Sequence, residues 1–260
     1  MRALAAAYPD QILGAEYRDG DWAALLRDQW FYYAQGRLLP EELRDQAGDY
    51  DPQPFYNYIA ELPPWHDPTS EESERYERSA STREANPPKR SQHFYDALWQ
   101  AHTRAESYER LKTIFFLGRE LLIHYAIMEE VTLVEVQIKK AAETDAEVRR
   151  WIEGLDTLSA WSWRTIADTE SRSFHAYGIA IDLLPASTGG RAAYWLWTAD
   201  YNPRWWAVPY EQRLHPPDAV IRAFESYGFV WGGKWTFYDT MHFEFRPEIL
   251  LLSGLSIARY

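Results

Sequence analysis

The chain has 260 residues, of which 46% are hydrophobic and none is cysteine. This composition predicts a globular protein with a sizeable core, and it excludes disulfides and thiolate-bound zinc. The formal net charge of −12 argues against a nucleic-acid partner, because phosphate binding needs clustered Lys and Arg. No segment approaches the roughly 20 consecutive apolar residues of a transmembrane helix.

The first ten residues, MRALAAAYPD, are too short for a signal peptide. They resemble the small-residue end of one, with the Ala-x-Ala pattern that precedes a cleavage site. Two hypotheses stay open: a precursor that begins upstream, and an ordinary N-terminus.

Residues 1–105 form an aromatic-rich region that the pattern predicts to be mostly helical. Within residues 20–39 the apolar side chains follow a helical spacing, at Trp22, Leu25, Leu26, Trp30 and Tyr33. Residues 66–92 are charged and nearly free of aliphatic side chains, which predicts an exposed loop or a disordered segment.

The second region, residues 106–260, is predicted to be a domain that mixes helices and strands. Helical patterning runs from residue 94 to about residue 155, and strand-like pieces follow at GIAIDLL, FVW and MHFEFR. Between them, PPDAVIRAFESYG has a proline near its start and a glycine at its end, which predicts a short helix. The fold class is therefore α+β, with a helical N-terminal half.

Two histidines have unusual neighbours. His175 lies seven residues before Asp182, an acid in an otherwise apolar strand, and a buried charge is costly unless it is paired or binds a metal. His242 follows Asp239 by three residues and precedes Glu244 by two. Two imidazoles and a carboxylate suit a catalytic zinc site with water as the fourth ligand, and a nearby acid could take the proton of that water. Each of these residues alone is more often a surface group or a hydrogen-bonded core group.

Two stretches resemble one known family. SRSFHAYGIAID fits the pattern Ser-x-His-x-x-Gly-x-Ala-x-Asp, and GFVWGGKWTFYDTMHFEF fits an aromatic, Gly-Gly-x-Trp ending that closes on Asp-x-x-His-Phe-Glu. Together they resemble the D-alanyl-D-alanine carboxypeptidase family of zinc metallopeptidases, whose relatives include L-alanyl-D-glutamate endopeptidases and whose fold is shared with the zinc domain of hedgehog proteins. The resemblance covers roughly residues 130–250.

The resemblance implies a Zn²⁺ cofactor and a role for each matching position. It implies zinc ligands at His175, Asp182 and His242, a general base at Asp239, and an arginine that holds substrate or stabilises the oxyanion at Arg164. Three further residues are expected to support the site or contact substrate: Ser173 by hydrogen bonding, Glu244 as an orienting partner or a fourth ligand, and Trp235 as a wall of the cleft. The family also implies a C-terminal zinc-peptidase domain built on a small antiparallel sheet.

The implied function is hydrolysis of peptidoglycan stem peptides at a bond to a D-amino acid, as in the D-Ala-D-Ala carboxypeptidases. One departure keeps a second enzyme hypothesis open: the carboxypeptidases have Glu-x-x-His, whereas Asp239 and the surrounding Trp-Gly-Gly-x-Trp are closer to the L-Ala-D-Glu endopeptidases. A third hypothesis is a non-catalytic zinc module that binds wall fragments or a protein. The family implies an extracytoplasmic location, and the sequence gives no indication of oligomeric state.

Overall fold

A computed structural model of the chain describes residues 1–167 and 169–258. It combines helices with antiparallel sheets, so the predicted mixture of α and β structure is confirmed. In the described part of the chain, no helix is both long and apolar enough to cross a bilayer.

The N-terminal region begins with a short helix and continues as a four-stranded antiparallel meander. The elements in chain order are α1 (Arg2–Ala7), β1 (Ile12–Arg18), β2 (Asp21–Leu26), β3 (Gln29–Ala34) and β4 (Arg37–Pro40).

The prediction of a helical N-terminal half is wrong for residues 12–40. Left-handed backbone at Asp19–Gly20 and Gln35–Gly36, and at Arg27, reverses the chain after each short segment. Such tight turns match the right-handed twist of paired strands, so the backbone hydrogen bonds run between strands instead of along a helix. The apolar spacing that resembled a helical stripe is distributed over β2 and β3, where Trp22 is exposed and Leu26 is buried.

The charged segment at residues 66–92 is exposed as predicted, but most of it is a helix. This helix, α2 (Ser70–Ala85), buries none of its residues. Thr69 and Glu72 form a reciprocal capping box at its start, which stabilises a helix that has little packing. The scarcity of aliphatic residues favours a loop here, whereas the capping pattern at Thr69 and Glu72 favours a helix.

Residues 93–154 form helices at both ends of the segment, with a β-hairpin between them. Its helices are α3 (His93–Trp99), α4 (Arg104–Glu109), α5 (Met128–Thr144) and α6 (Ala146–Gly154). The strands β5 (Leu111–Phe116) and β6 (Arg119–His124) pair across a turn at Leu117–Gly118, where both residues have positive φ. The prediction of continuous helix from residue 94 is therefore wrong over this hairpin.

The C-terminal sheet is antiparallel, with the order β7-β8-β10-β9. Its strands are β7 (Leu155–Ser159), β8 (Ala180–Pro185), β9 (Phe229–Trp231) and β10 (His242–Phe245), and the helices of this region are α7 (Trp195–Ala199), α8 (Asp218–Ser226) and α9 (Pro247–Leu252). The strands and the helix predicted here from the sequence are confirmed. In the ladder between β8 and β10, Asp182 lies opposite His242.

One large apolar cluster joins the two regions. It includes Leu4 of α1, Phe94 of α3, Ile181 of β8 and Phe243 of β10, each less than 5% exposed. Helix α1 also contacts α9. The rigid surroundings of the β8–β10 pair thus include the N-terminal helix.

Candidate metal centre

Three side chains with metal-binding atoms meet at one end of the β8–β10 pair: His175, Asp182 and His242. His175 lies in a short 3-10 helix, Phe174–Tyr177, that ends at Gly178 with a φ of +72°. A Cβ at Gly178 would lie 2.6 Å from Leu111 Cδ2 and 2.9 Å from the backbone nitrogen of His124. Both the turn and the close approach need glycine here, and they lie between His175 and β8, which carries Asp182.

The donor atoms of the three residues lie close together. His175 Nε2 is 3.1 Å from His242 Nδ1 and 3.2 Å from Asp182 Oδ2, and His242 Nδ1 is 2.9 Å from Asp182 Oδ1. Ligands that bind a tetrahedral zinc ion at about 2.0–2.2 Å are about 3.3–3.5 Å from one another. The group is therefore positioned to bind a metal ion, with the donor set of a catalytic zinc site.

Both imidazoles are oriented by a hydrogen bond from the ring nitrogen that faces away from the cluster. His175 Nδ1 donates to the carbonyl of Ala160, and His242 Nε2 donates to Glu244 Oε2 at 3.2 Å. The other two ring nitrogens, His175 Nε2 and His242 Nδ1, face Asp182 and are the atoms that can take up a proton or a metal ion. Such outer hydrogen bonds fix the tautomer and the orientation of ligating histidines.

The cluster strongly favours a negative charge on Asp182. Burial alone would raise the pKa of this carboxyl, but the His175 and His242 rings outweigh burial and hold the pKa well below its usual range. For His242, burial opposes the charged ring, while hydrogen bonds to Asp182 and Glu244 raise its pKa to about 10. An anionic site that attracts a proton so strongly is also suited to a divalent cation.

Behind His242, a chain of buried charged groups continues along β10 and into α9. Arg246 Nη1 donates to Glu244 Oε1 at 3.3 Å, and Arg246 also pairs with Glu248. Tyr8, after α1, donates to Glu248 Oε2 at 2.6 Å. Glu244, Arg246 and Glu248 are each less than 8% exposed.

Of these buried groups, Glu244 is predicted from the sequence as a site residue, whereas Tyr8, Arg246 and Glu248 are not. The residues His242, Glu244 and Arg246 alternate along a strand and so share one face, which is a usable signal. The contact of Tyr8 has no local signal, because it joins residues 240 positions apart.

Asp239 lies between the Gly-Gly turn and the metal cluster. Its backbone nitrogen donates to the carbonyl of Gly232 at 3.0 Å, and a Cβ at Gly232 would lie 2.5 Å from the Asp239 carbonyl oxygen. Asp239 Oδ1 is buried and has no hydrogen-bond partner. Burial, together with the negative charge of Asp182, raises the pKa of Asp239 to about 7. An acid in this state is suited to accept and return a proton.

The other three predicted residues have different surroundings. Ser173 is buried, and its Oγ accepts a hydrogen bond from the backbone nitrogen of His175, so it caps the 3-10 helix that carries this histidine. Arg164 is exposed and lies near enough to Asp239 for its charge to lower the pKa of that carboxyl. The ring of Trp235 packs beside that of His242, with 5.6 Å between centroids.

The segment that carries this cluster also matches a known family of peptidases. Residues 167–245 match the model of a family described as D-alanyl-D-alanine carboxypeptidase, and residues 1–55 match that of a domain of unknown function. No curated protein and no solved structure gave a match. The peptidase match contains all three donors and Asp239, so the match and the geometry agree on a peptidase-like site with a His-Asp-His group placed to bind a metal.

Proposed function

We propose that this protein is a zinc-dependent peptidase that hydrolyses peptidoglycan stem peptides at a bond to a D-amino acid, in the manner of a D-Ala-D-Ala carboxypeptidase. The observation that carries the proposal is the juxtaposition of three metal-type donors with a buried, unpartnered oxygen of Asp239. The family match over residues 167–245 supports the choice of peptide hydrolysis over other metal-dependent reactions.

Zinc suits the residues present. His175 Nε2, His242 Nδ1 and Asp182 would hold it, and three protein ligands leave one position for water or substrate. When bound in such a site, zinc lowers the pKa of water to about 7 and polarises a carbonyl group.

Asp239 acts as the general base in this proposal. Its Oδ1 has no competing donor, so it is free to accept the proton of the attacking water. The same carboxyl then returns the proton to the leaving amine. General acid–base catalysis of this kind contributes about 10²–10⁴-fold to rate.

Arg164 supplies positive charge on the exposed side of the site. Its planar guanidinium can donate two hydrogen bonds to a substrate carboxylate or to the oxyanion that develops during attack. Ser173 and Glu244 act without touching substrate, because they hold His175 and His242 in place. The peptidoglycan substrate in turn implies that the protein works outside the cytoplasm.

A second candidate is cleavage between L-Ala and D-Glu. The observation that favours it is Asp239, whose side chain is one methylene shorter than the Glu of the carboxypeptidases, next to the Trp231–Trp235 turn. A shorter base must be matched by a different placement of the attacked bond.

The deciding experiment is mass spectrometry of the products formed by zinc-loaded protein from a pentapeptide stem ending in D-Ala-D-Ala. Release of one D-Ala supports the carboxypeptidase, and cleavage after L-Ala supports the endopeptidase. Either product should disappear with Asp239→Ala and persist with Asp200→Ala, a matched change at an exposed aspartate. If neither product forms while zinc stays bound, the chain is better explained as a non-catalytic zinc module.

A further inference from the structure

A small pocket of about 170 Å³ lies next to the metal centre, between the proline-rich segment at residues 62–68 and the loop at residues 205–212. Its aromatic lining, which we call the aromatic pocket, consists of Trp65, Tyr76, Trp206, Tyr210 and Trp235. Trp65 and Tyr210 contact each other edge to face across the two segments, with 5.0 Å between ring centroids. The pocket is thus built jointly by the N-terminal and C-terminal regions.

The aromatic pocket and the metal centre share a wall. Trp235 lines the pocket and also packs against the ring of His242. On another side, the guanidinium of Arg213 lies 4.2 Å from the centroid of the Tyr238 ring, and Tyr238 is the residue immediately before Asp239. The Trp235 ring therefore lies between the pocket and His242, so a peptide that occupies both sites would pass beside this ring.

Arg213 lines this pocket and is 7% exposed. Its Nε donates to the carbonyl of Val208 at 2.9 Å and its Nη2 to that of Trp206 at 3.4 Å, while Nη1 has no partner among the described residues. No carboxylate of the described chain forms an ion pair with it. Burying a cation without an anion is unfavourable, which is the reason that burial lowers the pKa of Arg213.

The other charged groups around the pocket have partners. Lys234 pairs with Glu225, and Glu72 accepts a hydrogen bond from the backbone nitrogen of Thr69 and faces His66. Arg213 differs from them because its positive charge is matched only by carbonyl oxygens and aromatic rings.

We propose that Arg213 binds a carboxylate of the peptide substrate in the aromatic pocket. A guanidinium with a free Nη1 matches a carboxylate, and the burial of Arg213 strengthens a charged hydrogen bond because its surroundings are less polarisable than water. The identity of the ligand as a stem peptide rests on the proposed function. Two carboxylates of such a peptide have this chemistry: the C-terminal one and the α-carboxylate of a γ-linked D-glutamate.

The test is calorimetric titration of zinc-loaded Asp239→Asn protein, which binds without cleaving. The ligands are the pentapeptide stem and two forms of it, one amidated at the C-terminus and one at the D-glutamate α-carboxylate. We expect one of the two amides to bind about 10–100-fold more weakly than the free acid, which identifies the carboxylate that Arg213 holds. Arg213→Gln should remove this preference, whereas Arg204→Gln, at an exposed arginine of the same loop, should keep it.

Comparing acid with amide separates recognition from folding. If Arg213→Gln weakens all three peptides equally, or keeps the preference intact, Arg213 holds only the loop and the inference is wrong. If the variant does not fold, equal binding of acid and both amides by the parent protein overturns the inference as well. If none of the three peptides binds to the parent protein, the inference is also overturned.

The two proposals fail separately. Arg213-dependent binding without cleavage of any stem peptide by the active protein keeps the carboxylate subsite and rejects the hydrolysis. Cleavage with no Arg213-dependent preference keeps the hydrolysis and rejects the subsite.

Discussion

Buried charges around the metal centre fall into two groups, one with partners of opposite charge and one without. Behind His242, each charged group faces an opposite charge, from Glu244 through Arg246 to Glu248. By contrast, Asp239 Oδ1 has no hydrogen-bond partner, and Arg213 forms no ion pair with an acid of the described residues. Under the two proposals above, the paired charges hold the histidines in place, whereas Asp239 accepts a proton and Arg213 binds substrate.

The paired group also explains how the N-terminal region reaches the site. Tyr8 and Tyr95 both donate to Glu248, and Arg246 stacks on the ring of Phe174, the neighbour of His175. The orientation of His242 thus depends on residues far from the peptidase match.

The largest effect is expected at the metal donors. Asp182→Ala removes the anionic donor and leaves two imidazoles, so we expect the protein to lose its stoichiometric zinc. This effect is larger than the loss of zinc affinity of about 10–100-fold that is expected when an outer hydrogen-bond partner is removed. Zinc content after dialysis measures it. Asp156→Ala, at an exposed aspartate of β7, is the control and should keep one zinc per chain. Full zinc content in Asp182→Ala would contradict the assignment.

The next effect concerns stability and tests the paired group directly. Arg246→Met leaves Glu244 and Glu248 buried without their cation, and breaking a buried pair in this way costs about 3–5 kcal/mol. Urea unfolding gives the value, with Arg222→Met at an exposed position of α8 as control.

The same measurement on Arg213→Met sharpens the comparison. This change leaves no buried anion behind and removes hydrogen bonds to carbonyls and contacts with aromatic rings, so we expect about 1–3 kcal/mol. Equal costs for the two arginines would mean that the two groups do not differ.

A smaller effect is expected at the orienting carboxylate. Glu244→Gln keeps the size of the side chain but weakens its hydrogen bond with His242, so we expect zinc affinity to fall about 10–100-fold. Competition with a chelator measures the affinity. Glu120→Gln, at an exposed position of β6, serves as the control, and an unchanged affinity in Glu244→Gln would show that Ala160 and the sheet suffice to orient the ligands.

The smallest expected effect is an increase in stability, at Asp239. Asp239→Asn replaces a buried carboxylate that lacks a partner for one oxygen by a neutral amide, so chelator-treated protein should become more stable by about 1 kcal/mol. Thermal unfolding of parent and variant at pH 8 measures the difference. A clear loss of stability would place Asp239 with the paired groups.

Prediction from sequence succeeded where the signal is local. Strands β8 and β10 and helix α8 follow from short apolar patterns with turn residues at their ends. It failed at residues 12–40, because a spacing of three and four residues also arises when two short strands are joined by a tight turn. The Asp19–Gly20 and Gln35–Gly36 turns on either side of β2 and β3 are the local signal for strands, since φ is positive at all four residues.

By itself, the sequence determined the chemistry of this protein: which imidazoles and carboxylates it contains, and the motifs that group His175, Asp182, Asp239 and His242. The tertiary structure decided which of those charges are compensated. Tyr8 meets Glu248 across 240 positions, and Trp65 packs near Arg213 from a distant segment of the chain. The physical reason is that the free energy of a buried charge depends on the groups that pack around it. The fold determines these groups, and they need not be near the charge in the chain.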